Sequence, residues 1–523
     1  MKGKDLKKYL TVSGFEKITF KELVEQLSEK YGNKTAIKDK NGSITYYEIS
    51  DMSMKFAGKF QRLGLKHDDI VILQCTNTKE FVVILFALLR IGVIPVLVLP
   101  GYRETEIIRI IKKTNALAYI APEEYVGYRY ELIVNAIKKE CQSVMSFLIN
   151  KAFINLDGEE GLSDEWNESV SYDDVALLLM SGGTTGEPKL IPRTQADYIY
   201  NARMSAKRSG LNKDSIYLAA ASIAHNMPLA CPGVLGTLCT GGTVVLSYYL
   251  SPDEIMELIE KERVTITNFV PTVAKLCLEL LDIDDFDIST LKVLLIGGAR
   301  LEEPLAMEVI NKFNCILQNQ FGTAEGLIMS TALDDSMECM LKCQGKPVSE
   351  ADVIQIIDDN GEEVSQGKSG ELVVKGPYTI ESYYNEPEND LKFTKDGFYR
   401  TGDKARIRDD GNVCILGRIK EQINRAGEKL LPLEIEDNLI QIKEINKAVV
   451  VGVPDELLGE RICAFIELKE GTEIDEQEIC EEMLRKGVAQ YKIPDQVLFI
   501  EEWPVTKMGK IDSNKLKEIV NNN

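Results

Sequence analysis

The chain reads as an α/β protein: a large N-terminal domain of two parallel-rich sheets with helices plus a β-rich subdomain, and a small α+β C-terminal domain. Three observations carry this reading. Up to about residue 400, helical patterns alternate with short apolar, β-branched runs, the texture of strands buried on both faces of a helix-covered sheet. Beyond Glu350 the segments shorten and are broken by Gly and Asn-Gly turn signals, which predicts a smaller β-rich subdomain over about 350–417. From Glu421 onward a further compact stretch has strand and helix patterns of its own, at a length suited to an independent domain.

The strand runs are VILQC at 71–75, AYIAP at 118–122, VALLLM at 175–180, TVVLSY at 243–248, TITNFV at 265–270 and VLLIGG at 293–298. Phe81–Pro100 has the length of a membrane span but carries Arg90, Gly92 and Pro95. It divides into a buried helix over Phe81–Ile91, a stop at Gly92 and a buried parallel strand over Ile94–Leu99. DVIQIID and GELVVKG supply the β-rich subdomain; AVVVGVPD, RICAFIEL, EIEDNLIQ and EQEICEEMLRKG supply the last domain, with the boundary at Arg418–Lys420. The acidic cluster at Glu473–Glu482 is expected to be a solvated helix face.

Composition excludes several function classes. With 61 Lys and Arg against 82 Asp and Glu in 523 residues, the net charge of −21 argues against a general nucleic-acid or anionic-membrane surface. His67 and His225 are the only histidines, so His-rich metal centres are excluded and a Ser-His-Asp triad would have to use one of them. Eleven scattered cysteines lack the spacing of a disulfide scaffold and suit a reducing cytoplasm. Cys339 and Cys343 have no second pair or nearby His to complete a metal site. The basic start MKGKDLKKYLTVSGF lacks an apolar core and a cleavage site, so no signal peptide is expected.

The sharpest local signal is Ser181, Gly182, Gly183, Thr184, Thr185, Gly186, Glu187, Pro188 and Lys189, directly after VALLLM. Glycines let backbone approach phosphate oxygens, hydroxyls and amides donate hydrogen bonds, and the lysine adds a mobile positive charge. The pattern is not a Walker loop, because Glu187 stands where that loop needs Gly. Further motifs follow in order: Asn319-Gln-Phe-Gly-Thr-Ala-Glu-Gly326, Gly370-Glu-Leu372, Tyr399-Arg-Thr-Gly-Asp403, Gly417-Arg-Ile-Lys-Glu-Gln-Ile423 and Pro504-Val-Thr-Lys-Met-Gly-Lys510.

In the loop and these five motifs the whole chain resembles the adenylate-forming superfamily of acyl-CoA synthetases, peptide-synthetase adenylation domains and luciferases. His225-Asn-Met-Pro-Leu-Ala-Cys-Pro-Gly-Val-Leu-Gly236 and Gln422-Ile-Asn-Arg-Ala-Gly-Glu-Lys429 are similar to its aryl-acid branch, the dihydroxybenzoate- and salicylate-activating AMP ligases. The resemblance implies ATP and Mg²⁺ as cofactors and an aromatic carboxylic acid as substrate. Amino-acid activators want an aspartate at the position of Asn226 to pair an α-ammonium; a neutral Asn fits an acid without one.

By the same resemblance, Lys510 bridges the substrate carboxylate and the ATP phosphates, Glu325 orients Mg²⁺ and Thr323 touches the α-phosphate. Asp403 accepts the ribose hydroxyls and Arg418 complements phosphate or ribose oxygen. Gly297, Gly298 and Ala299 form one wall for the adenine and aryl rings, at the carboxyl edge of a strand where open α/β sheets bind ligands, with Asn319, Gln320, Phe321 and Gly322 opposite. His225 stands beside the acyl pocket and is not read as a general base. Lys420 aligns with a hinge, so residues 1–417 form the adenylation domain, 418–420 the hinge and 421–523 a mobile lid.

The pocket departs from the siderophore pattern: Met227 replaces Tyr, Cys231 replaces Ser and Gln320 replaces an aliphatic residue, while Asn226 and Ile328 remain similar. A thiol is a weaker partner than a hydroxyl, so recognition of an ortho hydroxyl should weaken, and the Gln320 amide can pair with a polar group farther from the carboxylate. The expected acceptor is the phosphopantetheine thiol of a separate aryl carrier protein. An aryl-CoA ligase, transfer to an amine or second aryl acid, and a non-catalytic ligand-binding scaffold are the alternatives; Ala426-Gly427, where the family often has Gly-Gly, bears on passage of a pantetheine arm.

Overall fold

A computed structural model describes residues 4–522 except 157, 162–168, 181–188, 387–391, 426–427, 456–457, 487, 489 and 507–510. The chain divides into two compact units, one taking in the residues up to Val353 together with Val374–Tyr399, the other Ile354–Val373 and Arg400–Asn523. This division groups most of the β-rich segment with the C-terminal residues, whereas the sequence-based boundary lies at 418–420. Chain continuity explains the grouping: Val413–Arg418 passes directly into a 3₁₀ turn at Ile419–Glu421, and a side chain at Gly417 would meet Leu433 on the next helix.

Two large sheets organise the first unit. In one, parallel strands Met145–Ile149, Ala118–Pro122, Ile70–Gln74, Ile94–Val98 and Val175–Met180 lie side by side, and Leu190–Thr194 closes the edge antiparallel to Val175–Met180. The other places Thr35–Asp39, Thr243–Leu246, Ile216–Ala219, Ile266–Phe269, Val293–Ile296 and Ile316–Gly322 in parallel succession. Its edges are antiparallel, formed by Gly42–Thr45 on one side and by Ile328–Ser330 with Lys346–Pro347 on the other.

The span-like stretch folds as its breakers require. Thr78 caps a helix over Lys79–Arg90 by accepting from the Phe81 N–H, Gly92 takes φ +70° beyond the helix end, and Ile94–Val98 is a fully buried strand. Arg90 is 2% exposed yet satisfied: its guanidinium donates to Ser53 Oγ, Ser50 Oγ and Glu25 Oε1 at 2.9, 3.0 and 3.0 Å. Among the described residues no helix is long and apolar enough to cross a membrane.

Val353–Ile357, Ser369–Lys375, Tyr399–Ile407 and Val413–Arg418, most of whose residues belong to the other unit, form a four-stranded sheet. A second sheet pairs Ile445–Asp455 with Gly459–Leu468, flanked by Ile423–Arg425, Glu428–Leu430 and Gln496–Phe499. Helices Pro432–Ile440 and Glu476–Arg485 bury Ile435, Leu439, Ile479 and Met483 in one core cluster, so the acidic cluster lies on a helix whose glutamates face outward.

Candidate functional site

The loop residues Ser181, Gly182, Gly183, Thr184, Thr185 and Gly186 lie outside the described residues, as does Lys510. Met180 pairs with Leu190, so the glycine-rich segment connects the ends of an antiparallel pair. Lys189, at the start of the returning strand, carries its ammonium 4.8 Å from the centre of the Tyr383 ring, a cation–π distance.

Glu325 sits on a tight turn between Ile316–Gly322 and Ile328–Ser330. The Thr323 N–H donates to Leu327 O at 2.9 Å and the Gly326 N–H to Thr323 O at 3.1 Å. Gly326 has φ +124°, a region open only to glycine, and a Cβ there would run into the Tyr378 carbonyl. The turn is also tied from outside: Ile380 N–H donates to Glu325 O at 2.8 Å, Thr379 Oγ1 to Gly326 O at 3.1 Å and Arg193 Nη1 to Ala324 O at 3.4 Å.

The Glu325 carboxylate is held as firmly as its backbone. Tyr383, 5% exposed, donates its phenol proton to Glu325 Oε1 at 2.8 Å, and its oxygen lies 3.2 Å from that of Tyr399. Burial, with the charge of Glu325 second, raises the Tyr383 phenol well above its ordinary value, so it remains a donor throughout the physiological range. One oriented carboxylate suits Mg²⁺, which takes one or two protein carboxylates and fills its shell with phosphates and water. No cluster of three or more His, Cys, Asp or Glu able to hold a metal occurs among the described residues, Cys339 and Cys343 included.

The residues read as an acyl pocket converge. A Cβ at Gly297 would stand 2.8 Å from Gln320 O, 3.2 Å from Met227 Sδ and 3.3 Å from Gln320 Cβ, so these three meet at the end of Val293–Ile296. Gly298 takes φ +80°, and Ala299 is exposed. His225 precedes the short helix Asn226–Ala230 and is half-buried. Asn226 presents its side chain beside Tyr198, whose hydroxyl donates to Asn226 Oδ1 at 3.0 Å. Ile328 is buried opposite Gly322, and Phe321 pairs with Met329.

Cys231 is buried and its thiol is pushed up to about 11 by burial, so it enters recognition as a neutral group. Asn201 Nδ2 approaches its sulfur at 3.6 Å, and Gln320 Nε2 donates to its carbonyl at 2.9 Å. The Asn319 side chain instead faces Met340, donating to its carbonyl at 3.3 Å.

Three expected residues belong to the other unit. Asp403 is buried on Tyr399–Ile407, accepts from Arg418 Nε at 2.9 Å and stands opposite Arg418 in the sheet register. Arg418 Nη1 also donates to Thr401 O at 3.2 Å. Lys420 is exposed on the 3₁₀ turn that follows.

Sequence reasoning did not find Tyr383, Tyr198, Arg193 or Asn201. The available signals were Asn201 and Ser205, polar residues four apart on a helix, Gln195–Arg208, that is buried over most of its length, and the aromatic pair Tyr383–Tyr384 inside a polar segment.

Comparison with known proteins shows the family. Residues 24–384 match the family described as AMP-binding enzyme, and residues 434–510 match the AMP-binding enzyme C-terminal domain. The chain is 40% identical over 506 residues to 2,3-dihydroxybenzoate-AMP ligase of Bacillus subtilis (strain 168), covering 96% of this chain and 94% of that one. It is 35% identical to salicyl-AMP ligase / salicyl-S-ArCP synthetase of Mycobacterium tuberculosis, over 95% and 90% of the two chains. The apo structure of Mycobacterium smegmatis MbtA superposes with a TM-score of 0.74 at 34% identity, covering 98% of this chain and 97% of that one. With residues 24–384 and 434–510 matching these two models and this full-length similarity, the chain belongs to the AMP-binding family of adenylate-forming ligases.

Proposed function

We propose that the protein activates an aromatic carboxylic acid with ATP and passes the acyl group to the phosphopantetheine thiol of a carrier protein. A carboxylate oxygen attacks the α-phosphorus, the bond to the bridging oxygen of the β-phosphate breaks, and pyrophosphate leaves with that electron pair. The aryl-adenylate is then open to attack by a thiol, which displaces AMP. Mg²⁺ supplies charge neutralisation on the phosphates, the dominant requirement of such a transfer.

The carrying observation is the meeting of Gly297, Met227 and Gln320 at the end of Val293–Ile296, a surface of glycine and thioether of the kind that suits a flat ring. Asn226 is the neutral residue where an α-amino acid would need a carboxylate, and Tyr198 occupies its oxygen. In this reading Glu325 holds Mg²⁺, Thr323 and the loop 181–186 with Lys189 take the phosphates, and Gly298 and Ala299 border the adenine. Asp403 and Arg418 serve the ribose, Lys510 bridges carboxylate and phosphate, and Lys420 is the hinge between residues 1–417 and a lid over 421–523.

Acid-dependent exchange of labelled pyrophosphate into ATP across hydroxy- and aminobenzoates tests the first half-reaction. Aromatic acids are expected to support it and α-amino acids are not; silence across all aromatic acids overturns the reading. Offering CoA and a phosphopantetheinylated carrier to the preformed adenylate tests the second, with the carrier expected to be acylated faster.

A further inference from the structure

Glu325 takes three of its supports from one stretch of chain. Within residues 376–384, Thr379 Oγ1 donates to Gly326 O at 3.1 Å, the Ile380 N–H to Glu325 O at 2.8 Å and the Tyr383 phenol to Glu325 Oε1 at 2.8 Å. Both the turn and its carboxylate are therefore placed by where this stretch lies.

The stretch leaves the strand Ser369–Lys375 and enters neither helix nor strand, yet residues 376–380 are all buried. Irregular backbone out of water has no ladder to pair its carbonyls, and each one left without a donor is costly. Two side chains fix it. Asp352 accepts from the Tyr378 hydroxyl, and a Cβ at Gly376 would collide with Asp352 Oδ1, so only glycine allows that approach. The second comes from far away in sequence: Lys4 Nζ donates to Thr379 O at 2.5 Å and to Gly376 O at 3.3 Å. The Thr379 N–H also donates to Gly376 O, at 3.2 Å. The ammonium thus closes the mouth of a small turn whose last residue, Thr379, and the Ile380 that follows hold the Glu325 turn.

Lys4 differs in kind from nearby Lys8. Lys8 Nζ meets Glu381 Oε1 at 2.7 Å, but the two side chains are 44% and 46% exposed, and an ion pair in solvent contributes little. Lys4 is half-buried and its partners are carbonyls of buried residues, which lose a charged donor if the ammonium is removed. The remaining carbonyl of the turn, Ala324 O, is approached by Arg193 Nη1 at 3.4 Å and owes nothing to this stretch. Loss of Lys4 therefore loosens the turn without dismantling it.

Resting on the reading of Glu325 as the residue that holds Mg²⁺, we infer that Lys4 is a positioning residue for the ligase reaction: it fixes residues 376–380 and, through Thr379 and Ile380, sets how firmly the Glu325 carboxylate is presented.

Lys4→Met keeps most of the apolar stem and removes the donor, and two measurements read its effect. In hydrogen–deuterium exchange of the protein without nucleotide, the Gly326 and Ile380 amides are expected to exchange roughly threefold to tenfold faster than in the wild type, the scale of one net hydrogen bond. In acid-dependent pyrophosphate exchange at fixed ATP, the half-saturating Mg²⁺ concentration is expected to rise by a similar factor while the rate at saturating Mg²⁺ changes little, a split that a general loss of stability does not produce. Lys8→Ala, which removes a charge from the same segment, is expected to leave both readings at wild-type values. Unchanged amide exchange in Lys4→Met, a fall in rate with no shift in the Mg²⁺ midpoint, or an equal effect of Lys8→Ala would overturn the inference. Fast exchange of the Gly326 and Ile380 amides already in the wild type would overturn it as well, and that reading needs no variant to fold. Absence of pyrophosphate exchange with every aromatic acid would overturn the proposed function instead, and amide exchange would still decide whether Lys4 holds the turn.

Discussion

Replacing Tyr383 by Phe removes one oxygen atom and leaves the ring, and with it the packing beside Lys189, in place. What is lost is a half-buried 2.8 Å bond to Glu325 Oε1 and a buried 3.2 Å contact with the Tyr399 hydroxyl. A hydrogen bond to a charged group contributes about 1.5–3 kcal/mol, and at about 1.4 kcal/mol per factor of ten that corresponds to roughly tenfold to a hundredfold. Part of this falls on stability, because a half-buried carboxylate oxygen loses its donor; the rest falls on the positioning of the group proposed to hold Mg²⁺. The assay is acid-dependent pyrophosphate exchange titrated with Mg²⁺ at fixed ATP, alongside a thermal melt. The half-saturating Mg²⁺ concentration is expected to rise by about tenfold, with partial recovery of rate at high Mg²⁺. A Tyr383→Phe protein whose Mg²⁺ profile matches the wild type while its melting temperature falls would refute the positioning argument and leave Tyr383 a structural residue.

Other perturbations follow from the same geometry. Cys231→Ser restores a hydroxyl at a buried position beside Asn201 and should raise kcat/KM for ortho-hydroxy acids relative to benzoate by a few-fold; a comparison of salicylate and benzoate exchange checks it. Gly326→Ala forces a side chain into the Tyr378 carbonyl at φ +124°, so a loss of about 2–4 kcal/mol in urea unfolding should accompany loss of exchange. The Asp352 carboxyl, which accepts from the Tyr378 hydroxyl, is pushed up to about 8 by burial. Because the folded state holds this proton more tightly than the unfolded chain, its contribution to stability is complete below pH ~4 and is lost as pH rises toward ~8. Asp352→Asn should therefore flatten that decline and raise the unfolding free energy at pH 7, read from urea titration, by an amount on the order of 1–3 kcal/mol.

The strands were legible because apolar, β-branched runs such as VALLLM and VLLI have one stable home in this architecture, a sheet covered on both faces. The helix of the span-like stretch begins two residues before the apolar run, at Lys79, because the Thr78 cap sets the start and hydrophobicity does not. Strand direction was not legible: nothing in Leu190–Thr194 or Ile328–Ser330 distinguishes an antiparallel edge from a parallel neighbour. Within the site, Glu325 stood out because its motif is contiguous. Its partner Tyr383 is 58 residues away, and only folding brings the two together. Gln320 was legible as an amide replacing an aliphatic residue, but its bond to the Cys231 carbonyl was not, because the two residues lie on separate elements.

The most direct test of the central claim is mass-spectrometric detection of the nucleotide product formed from an aromatic acid, ATP and Mg²⁺, with the wild type and with Lys510→Ala. The account predicts an aryl-adenylate and an equivalent of pyrophosphate from the wild type, and neither from the variant, which should still bind ATP. Release of ADP and phosphate without an adenylate, or an unchanged adenylate yield from Lys510→Ala, would contradict it.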